Sequence, residues 1–478
     1  MIMCKYGSLT AEANIFSSGK SGFSPRIFAI LILVYGFIFP LNAQENELES
    51  VLIDIALKLT ERNFSAALEQ FDRLNPDEAE KTEILVMKAG IYNSAGKTAD
   101  ARKIANSVIS ANPENTDALM ILADAAAREN KTRERRLVLE RVIKADPNNA
   151  RALVDLGNIN LGSRSLKAAG VYFDRALAAD PSSGEAIIGR ATVHRYSNEP
   201  KKAEQLLNRA IREYPQWAAP RHERARLYKS AGFYNDALSD INAAINLEPD
   251  NYWVMVDRGL ILMDINRKDE ALKDFSRAVD INPDNFIAYV YTAGIKNESG
   301  DYEGAERDFL KLTKLKPEYY FAFEGLGMIR MKDKKWALAR DSFLEAYKQA
   351  PKEYSYALLA AVNWMRAGRQ SDPKQFLAQV LKTAPRDSLE YSMLKLFHDL
   401  GGDMEVVKKI ESEKNIYKKA CMTFYLASYY DIRGNKSLAD RYYMIVQELD
   451  AVATIEWRIN EWILKERGLG LRLNDERK

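Results

Sequence analysis

Cysteine is nearly absent from this chain, which carries only Cys4 and Cys421 in 478 residues. With the N-terminus removed, as argued below, Cys421 stands alone and no intrachain disulfide can form, so an exported form takes its stability from packing. Cys4 lies far upstream of the expected cut and cannot be the lipid-bearing cysteine of a bacterial lipoprotein. Histidine is almost as scarce, with His194, His222 and His398 far apart in sequence. The segment His222-Glu223-Arg224-Ala225-Arg226 holds half of a helical zinc-protease motif, but Arg226 stands where the second histidine is required. Even with His194 and His222 brought together, a third ligand is missing, so no metal site and no cofactor is expected. No phosphate-cradling glycine loop and no serine-nucleophile elbow occurs. The chain is therefore read as a non-enzyme without catalytic residues.

A charge excess is also lacking. The formal net charge is +2. Removing residues 1–43 takes away Lys5, Lys20, Arg26 and Glu12 and leaves 66 residues of each sign. Nucleic-acid binders normally show a basic excess, so no nucleic-acid partner is expected. Long apolar runs are missing with one exception, the 13 residues Ile27 to Phe39, preceded by Arg26 and followed by Leu41-Asn42-Ala43. A positive residue, a short apolar core and a small residue at the cut read as a secretory signal cleaved after Ala43. A spanning helix needs about 20 residues, so the alternative, an inner-membrane anchor formed by residues 27–41, is the weaker reading. The expected location is thus exported, in the periplasm or cell envelope.

What the sequence does contain is a period. Prolines stand at 113, 147, 181, 215, 249, 283, 317, 351 and 385, each 34 residues from the last. With proline at position 32, units begin at Thr82, Thr116, Ala150, Gly184, Ala218, Tyr252, Phe286, Tyr320 and Tyr354, with an earlier one at Leu48. Position 20 is alanine in Ala67, Ala101, Ala169, Ala203, Ala237, Ala271, Ala305 and Ala339. Position 8 is alanine or glycine, as in Ala89, Gly157, Ala225 and Gly327, and position 24 is large and apolar, as in Phe173, Ile241, Phe275 and Phe343. Positions 20, 24 and 27 share one helix face, as do 4, 7, 8 and 11 on an earlier helix. Small residues at 8 and 20 let two backbones approach, and the aromatic at 24 fills the space beside them. Position 15 is Gly96, Gly232, Gly300, Gly368, Asn130, Asn198 or Asn266, residues that tolerate the left-handed conformation ending a helix. Proline stops the second helix, and the residue after it, such as Asn148, Ser182, Asp250 or Asp284, is expected to cap the next one.

Small residues at 8, 20 and 27, an aromatic at 24 and proline at 32 resemble the tetratricopeptide-repeat family. The resemblance implies an all-α fold, a right-handed superhelical solenoid of antiparallel helix pairs. On this reading residues 44–387 form ten units, and 388–453 form two further units, the first of them degenerate. Residues 454–467 form a capping helix and 468–478 a tail. Pro373 replaces the position-20 alanine of the unit at Tyr354, so its second helix is expected to start late, at Asp372. Arg224 with Asp240, and Arg258 with Asp274, recur at 34 and are expected to join the two helices of a unit.

One unit cannot bury its own apolar face, and stacking leaves a long concave surface. In this family the first helices line it, with positions 2, 5, 9 and 12 expected to be exposed. In the middle of the chain these are basic, namely Arg195, His222, Arg226 and Lys229. Further on they are apolar, namely Trp253, Val256, Leu260, Met263, Phe321, Met328, Met331, Leu358, Val362 and Met365. A basic stretch beside a Met- and aromatic-rich trough suits a protein partner that is acidic or bears apolar anchors. The expected function is a non-catalytic protein-interaction scaffold of the cell envelope. The alternative is an accessory protein of a polysaccharide export or modification complex, with Trp253, Tyr319 and Tyr320 as sugar platforms.

Overall fold

The structure, a computed structural model, describes residues 43–368 and 372–469. The signal or anchor segment expected at 1–43 lies outside the described residues except for Ala43, as does most of the tail. Among the described residues there is no strand, and no helix is long and apolar enough to cross a membrane. The helices fall into two compact units that divide after Asn266.

The N-terminal unit holds α1 (Ala43–Thr60), α2 (Phe64–Glu69), α3 (Pro76–Ala79), α4 (Thr82–Ser94), α5 (Thr98–Ala111), α6 (Thr116–Arg128), α7 (Thr132–Ala145), α8 (Ala150–Gly162), α9 (Leu166–Ala179), α10 (Gly184–Tyr196), α11 (Pro200–Glu213), α12 (Ala218–Ser230), α13 (Tyr234–Leu247) and α14 (Tyr252–Asp264). The C-terminal unit holds α15 (Lys268–Ile281), α16 (Phe286–Ser299), α17 (Tyr302–Leu315), α18 (Tyr320–Lys332), α19 (Trp336–Gln349), α20 (Tyr354–Arg366), α21 (Asp372–Thr383), α22 (Leu389–Asp399), α23 (Asp403–Ser412), α24 (Ile416–Ile432), α25 (Lys436–Glu448) and α26 (Ile455–Arg467). From α4 to α20, each first helix begins where the proline spacing starts a unit, and each proline lies between a second helix and the next first helix.

The repeat positions explain the pairing. The alanines at position 20 and those at position 8 have no exposed surface, and neither do Phe173, Ile241, Phe275 and Phe343 at position 24. At Gly157 and Gly327, both at position 8, the position-24 ring sits directly on the backbone. A β-carbon on Gly157 would lie 2.7 Å from the Phe173 ring, and one on Gly327 would lie 2.6 Å from the Phe343 ring. A larger residue there forces the two helices apart.

The turns show one regularity that glycine and asparagine announced and three residues that they did not. Gly96, Gly232, Gly300, Gly368, Asn130, Asn198 and Asn266 all have positive φ, and so do Arg62, Arg164 and Lys334 at the same position of their units. The register imposes the left-handed turn on side chains that pay for it in steric strain. The caps also depart from expectation by one residue. Asn115, Asn149, Ser183 and Asn285, two residues after their prolines, accept hydrogen bonds from Ala118, Ala152, Ala186 and Ala288 at 2.8, 3.1, 3.3 and 3.0 Å. The residue directly after the proline instead gives its backbone N–H to the side chain before it, Asn148 to Asp146 at 3.2 Å and Ser182 to Asp180 at 2.9 Å. The second helix α21 begins at Asp372 with Pro373 in its first turn, where the missing N–H leaves no bond unmade.

In the N-terminal unit the first helices of successive pairs pack on one another, α4 on α6, α8 on α10, α10 on α12 and α12 on α14, whereas no two second helices pack to a comparable extent. The first helices therefore lie on the inner side of the curve. The C-terminal unit takes this further. There α24 packs across the inner side on α20, and α26 packs on both α24 and α18. Seven consecutive residues of α24, Phe424 to Tyr430, are buried, so this helix is enclosed on all sides.

Candidate functional site: the inner face

The inner face differs between the two units. In the C-terminal unit the first-helix positions expected to line an open trough are covered. Met328, Met331 and Met365 are 3–4% exposed, and Leu358 and Val362 are not exposed at all. They share one core with Tyr425, Leu426, Ile459 and Leu464 of α24 and α26. The apolar trough is thus filled by the chain's own last helices, which corrects the reading of these residues as partner anchors. Val256 and Trp253 in the N-terminal unit are likewise buried, so Trp253 is neither an anchor nor a sugar platform. Phe321 and Met263 are half-buried, and the Phe321 ring packs 4.2 Å from Tyr320 and 5.6 Å from Tyr319.

The basic residues of α10 and α12 form a different structure. Arg195 reaches from α10 to Glu223 of α12, with Nε 2.8 Å from its carboxylate. Arg226 donates from Nε to Asp257 of α14 at 2.6 Å, and the Nε2 of His222 lies 2.5 Å from the same carboxylate oxygen. Three successive first helices are tied by this chain of charges, whose side chains are 4–10% exposed. Burial pushes the Asp257 carboxyl up, but the charge of Arg226 and the hydrogen bond and charge of His222 outweigh it and hold it far below the usual carboxylate range. Arg195 and Arg226 stay protonated despite burial, through Glu223 and Asp257. His222 and Arg226 are therefore members of an internal ion network and not a free basic patch. Their alternation with acidic residues on neighbouring helices is the sequence signal that was missed. His194 is tied to Glu199, 2.5 Å away, so each of the two histidines is held by a carboxylate of its own. Among the described residues no group of His, Cys, Asp and Glu has metal-binding geometry.

Accessible charges remain elsewhere on the inner side of the N-terminal unit. Arg151 of α8 holds Asp124 of α6 through Nη2, at 2.9 and 2.8 Å from the two carboxylate oxygens, and its side chain is 43% exposed. Lys229 of α12 lies 3.0 Å from Asp264 of α14, both being accessible. Glu185 at the start of α10 is exposed, yet burial among its neighbours and the charge of Asp155 raise its carboxyl, with Arg151 acting against them. On the opposite side, Arg224 forms the expected strut to Asp240, with two bonds of 2.6 and 2.7 Å, and also reaches Asn208 of the preceding pair at 2.5 Å. Arg258 likewise donates to Asn242 at 2.8 Å.

This geometry of stacked 34-residue helix pairs agrees with comparison to known proteins. A tetratricopeptide-repeat model matches residues 87–134, 136–184, 222–286 and 298–354. The chain belongs to the tetratricopeptide-repeat family. Among solved structures, a tetratricopeptide repeat protein from Parabacteroides merdae is 20% identical with a TM-score of 0.44, over 52% of this chain and 98% of that one. The Cut9–Hcn1 hetero-tetramer of the APC/C gives 16% identity and a TM-score of 0.46, over 70% of this chain and 66% of that one. YrrB, described as a TPR protein with an unusual peptide-binding site, gives 22% and 0.29, over 38% and 95%. No curated protein matches the chain. The family and fold make this a protein–protein interaction scaffold.

Proposed function

We propose that the chain is an exported scaffold of the cell envelope that holds a protein partner on the inner face of its N-terminal unit. The observation that carries this reading is the contrast between the two inner faces. In the C-terminal unit that face is filled by α24 and α26, whereas in the N-terminal unit it carries accessible, paired charges on α6, α8, α12 and α14. Exposed ion pairs are individually weak, about 0–1 kcal/mol. An acidic partner segment can therefore take Arg151 from Asp124 and Lys229 from Asp264 at little cost. The location rests on the N-terminal sequence, a short apolar run ending in Leu41-Asn42-Ala43.

Site-specific photocrosslinking in cells tests the face. A crosslinker at Glu185 or Arg151 is expected to give one defined adduct, and one at Leu137 on α7, 55% exposed and on a second helix, is expected to give none. The paired reversal Arg151→Glu and Lys229→Glu is expected to abolish the adduct at Glu185 while circular dichroism stays unchanged. Retention of the adduct in that variant, or equal adducts from Leu137, overturns the assignment. Cell fractionation with N-terminal sequencing tests export, the expected mature start being Gln44.

A further inference from the structure

The closure of the C-terminal inner face contains two carboxylates in an apolar setting. Glu324 on α18 is half-buried and accepts a 2.5 Å hydrogen bond from the Tyr356 hydroxyl of α20. Glu456, in the first turn of α26, is 2% exposed. Its two oxygens face the Tyr425 hydroxyl at 2.6 Å and the Cys421 thiol at 3.2 Å, both on α24. Neither carboxylate has a salt-bridge partner among the described residues. Hydroxyls and a thiol donate hydrogen bonds but supply no opposing charge, so ionising both carboxylates sets two negative charges against each other across the α18–α26 contact.

We propose that Glu324 is a pH-sensitive latch: protonated, it lets α26 close on α18, and ionised, it repels Glu456 and loosens α26 from the inner face. The charged and titratable groups that act on Glu324 come from α20, α26 and its own chain segment. Tyr356 comes from α20 and Glu353 from its N-terminal cap, Glu456 and the exposed Arg458 come from α26, and Tyr319 and Tyr320 flank it on its own chain segment. Burial raises the Glu324 carboxyl most, the Tyr356 hydrogen bond lowers it, Glu456 raises it again, and Arg458 and Glu353 act in opposite directions, leaving it at about 7. The ordinary value is 4.5. A carboxyl whose value is higher in the closed state than in the open one favours closure at low pH, and that advantage falls as pH rises from about 4.5 to about 7 and stays lost above it. Toward α24 and α25, α26 is held by the buried Ile459, Leu464 and Asn460, and the Asn460 amide donates to the Tyr443 carbonyl at 3.0 Å. The latch therefore acts on the α18 side of α26, where the other contacts are peripheral. Trp462 meets Tyr302 edge-on at 5.9 Å, and Glu466 pairs with Lys334 at 2.5 Å with both side chains more than half exposed. This inference does not depend on what binds the N-terminal unit.

Hydrogen exchange of the full chain between pH 5.5 and pH 8, corrected for intrinsic rates, tests it. Protection of the α26 amides is expected to fall by about 30-fold over that range, while amides of α4 and α5 serve as the unchanged reference. Glu324→Gln keeps an acceptor for Tyr356 without the charge and is expected to show no such fall. Tyr356→Phe removes the bond that favours the ionised form, so the fall is expected to continue to higher pH. Wild-type protection that is flat with pH, or a Glu324→Gln variant that retains the wild-type dependence, overturns the proposal. If Glu324→Gln fails to fold, the direction of the Tyr356→Phe shift decides.

Discussion

Phe173 lies so close to Gly189 that a β-carbon on this glycine would sit 2.2 Å from the ring. Phe173 belongs to α9 and Gly189 to α10, so the contact joins one helix pair to the next and Gly157 covers the ring from its own pair. Gly189→Ala therefore pits two effects against each other. Alanine favours a helix by about 1 kcal/mol over glycine, and overpacking a rigid core costs about 1–3 kcal/mol. At 2.2 Å the ring and both helices must shift, so the expected outcome is a net loss of about 1–2 kcal/mol in urea unfolding. Phe173→Leu in the same chain is expected to recover part of it. Additive losses in that double-mutant cycle would show that the two residues do not compete for the same space.

Lys334 adopts φ 58° at the turn where other units place glycine or asparagine. A left-handed lysine costs about 1–2 kcal/mol, partly offset by the greater freedom that glycine has in the unfolded chain. Lys334→Gly is expected to raise stability by about 0.5–1 kcal/mol, because the exposed pair with Glu466 is worth little. Thermal unfolding that is unchanged or lower would mean that this ion pair carries more than an exposed contact should.

The helical period, the turn positions and the Arg224–Asp240 strut were legible because they are local. A proline every 34 residues, alanine at positions 8 and 20, and Arg224 with Asp240 are set by what one unit and its neighbour must bury. Three features were not legible for identifiable reasons. The caps fall on Asn149 and Ser183, not Asn148 and Ser182, because Asp146 and Asp180 engage the residue after each proline and advance the cap by one. Arg226 and His222 read as a basic surface because Asp257, which neutralises them, lies 31 and 35 residues away on another helix. Met331 and Met365 read as trough because nothing in their own repeats shows that α24 and α26 return to cover that side.

Asp257 holds both Arg226 and His222, so its removal leaves a buried guanidinium with only the longer 3.8 Å contact to Glu223. Asp257→Ala is expected to cost about 3 kcal/mol or more at pH 7. Asp257→Asn keeps the shape and separates charge from packing. A carboxyl held below its unfolded value of 3.8 contributes stability that is whole above that value and is lost as pH falls through the folded one. Wild type is therefore expected to lose stability between about pH 5 and pH 2, and Asp257→Asn to start lower and lose less. Parallel acid limbs in urea titrations of the two proteins would remove Asp257 from the account of acid unfolding.

Met331 separates the two readings of the apolar inner face. As a partner anchor it would be replaceable without harm to the fold, whereas as core it would not. Its side chain is 4% exposed, its sulfur receives the Asn363 amide at 3.6 Å, and it shares a cluster with residues of α24 and α26. Truncating a buried methionine to alanine costs about 2–5 kcal/mol, depending on how far the site collapses. Asn363 is fully buried and keeps its bond to the Leu359 carbonyl, so little polar penalty is added and the lower half of that range is expected. Met331→Ala should therefore destabilise the C-terminal unit by about 2–3 kcal/mol and increase exchange at α24, while crosslinking from Glu185 in the N-terminal unit is unaffected. The opposite pattern, native stability with lost partner capture, would restore Met331 as a contact residue and require α24 and α26 to leave the inner face when the partner binds.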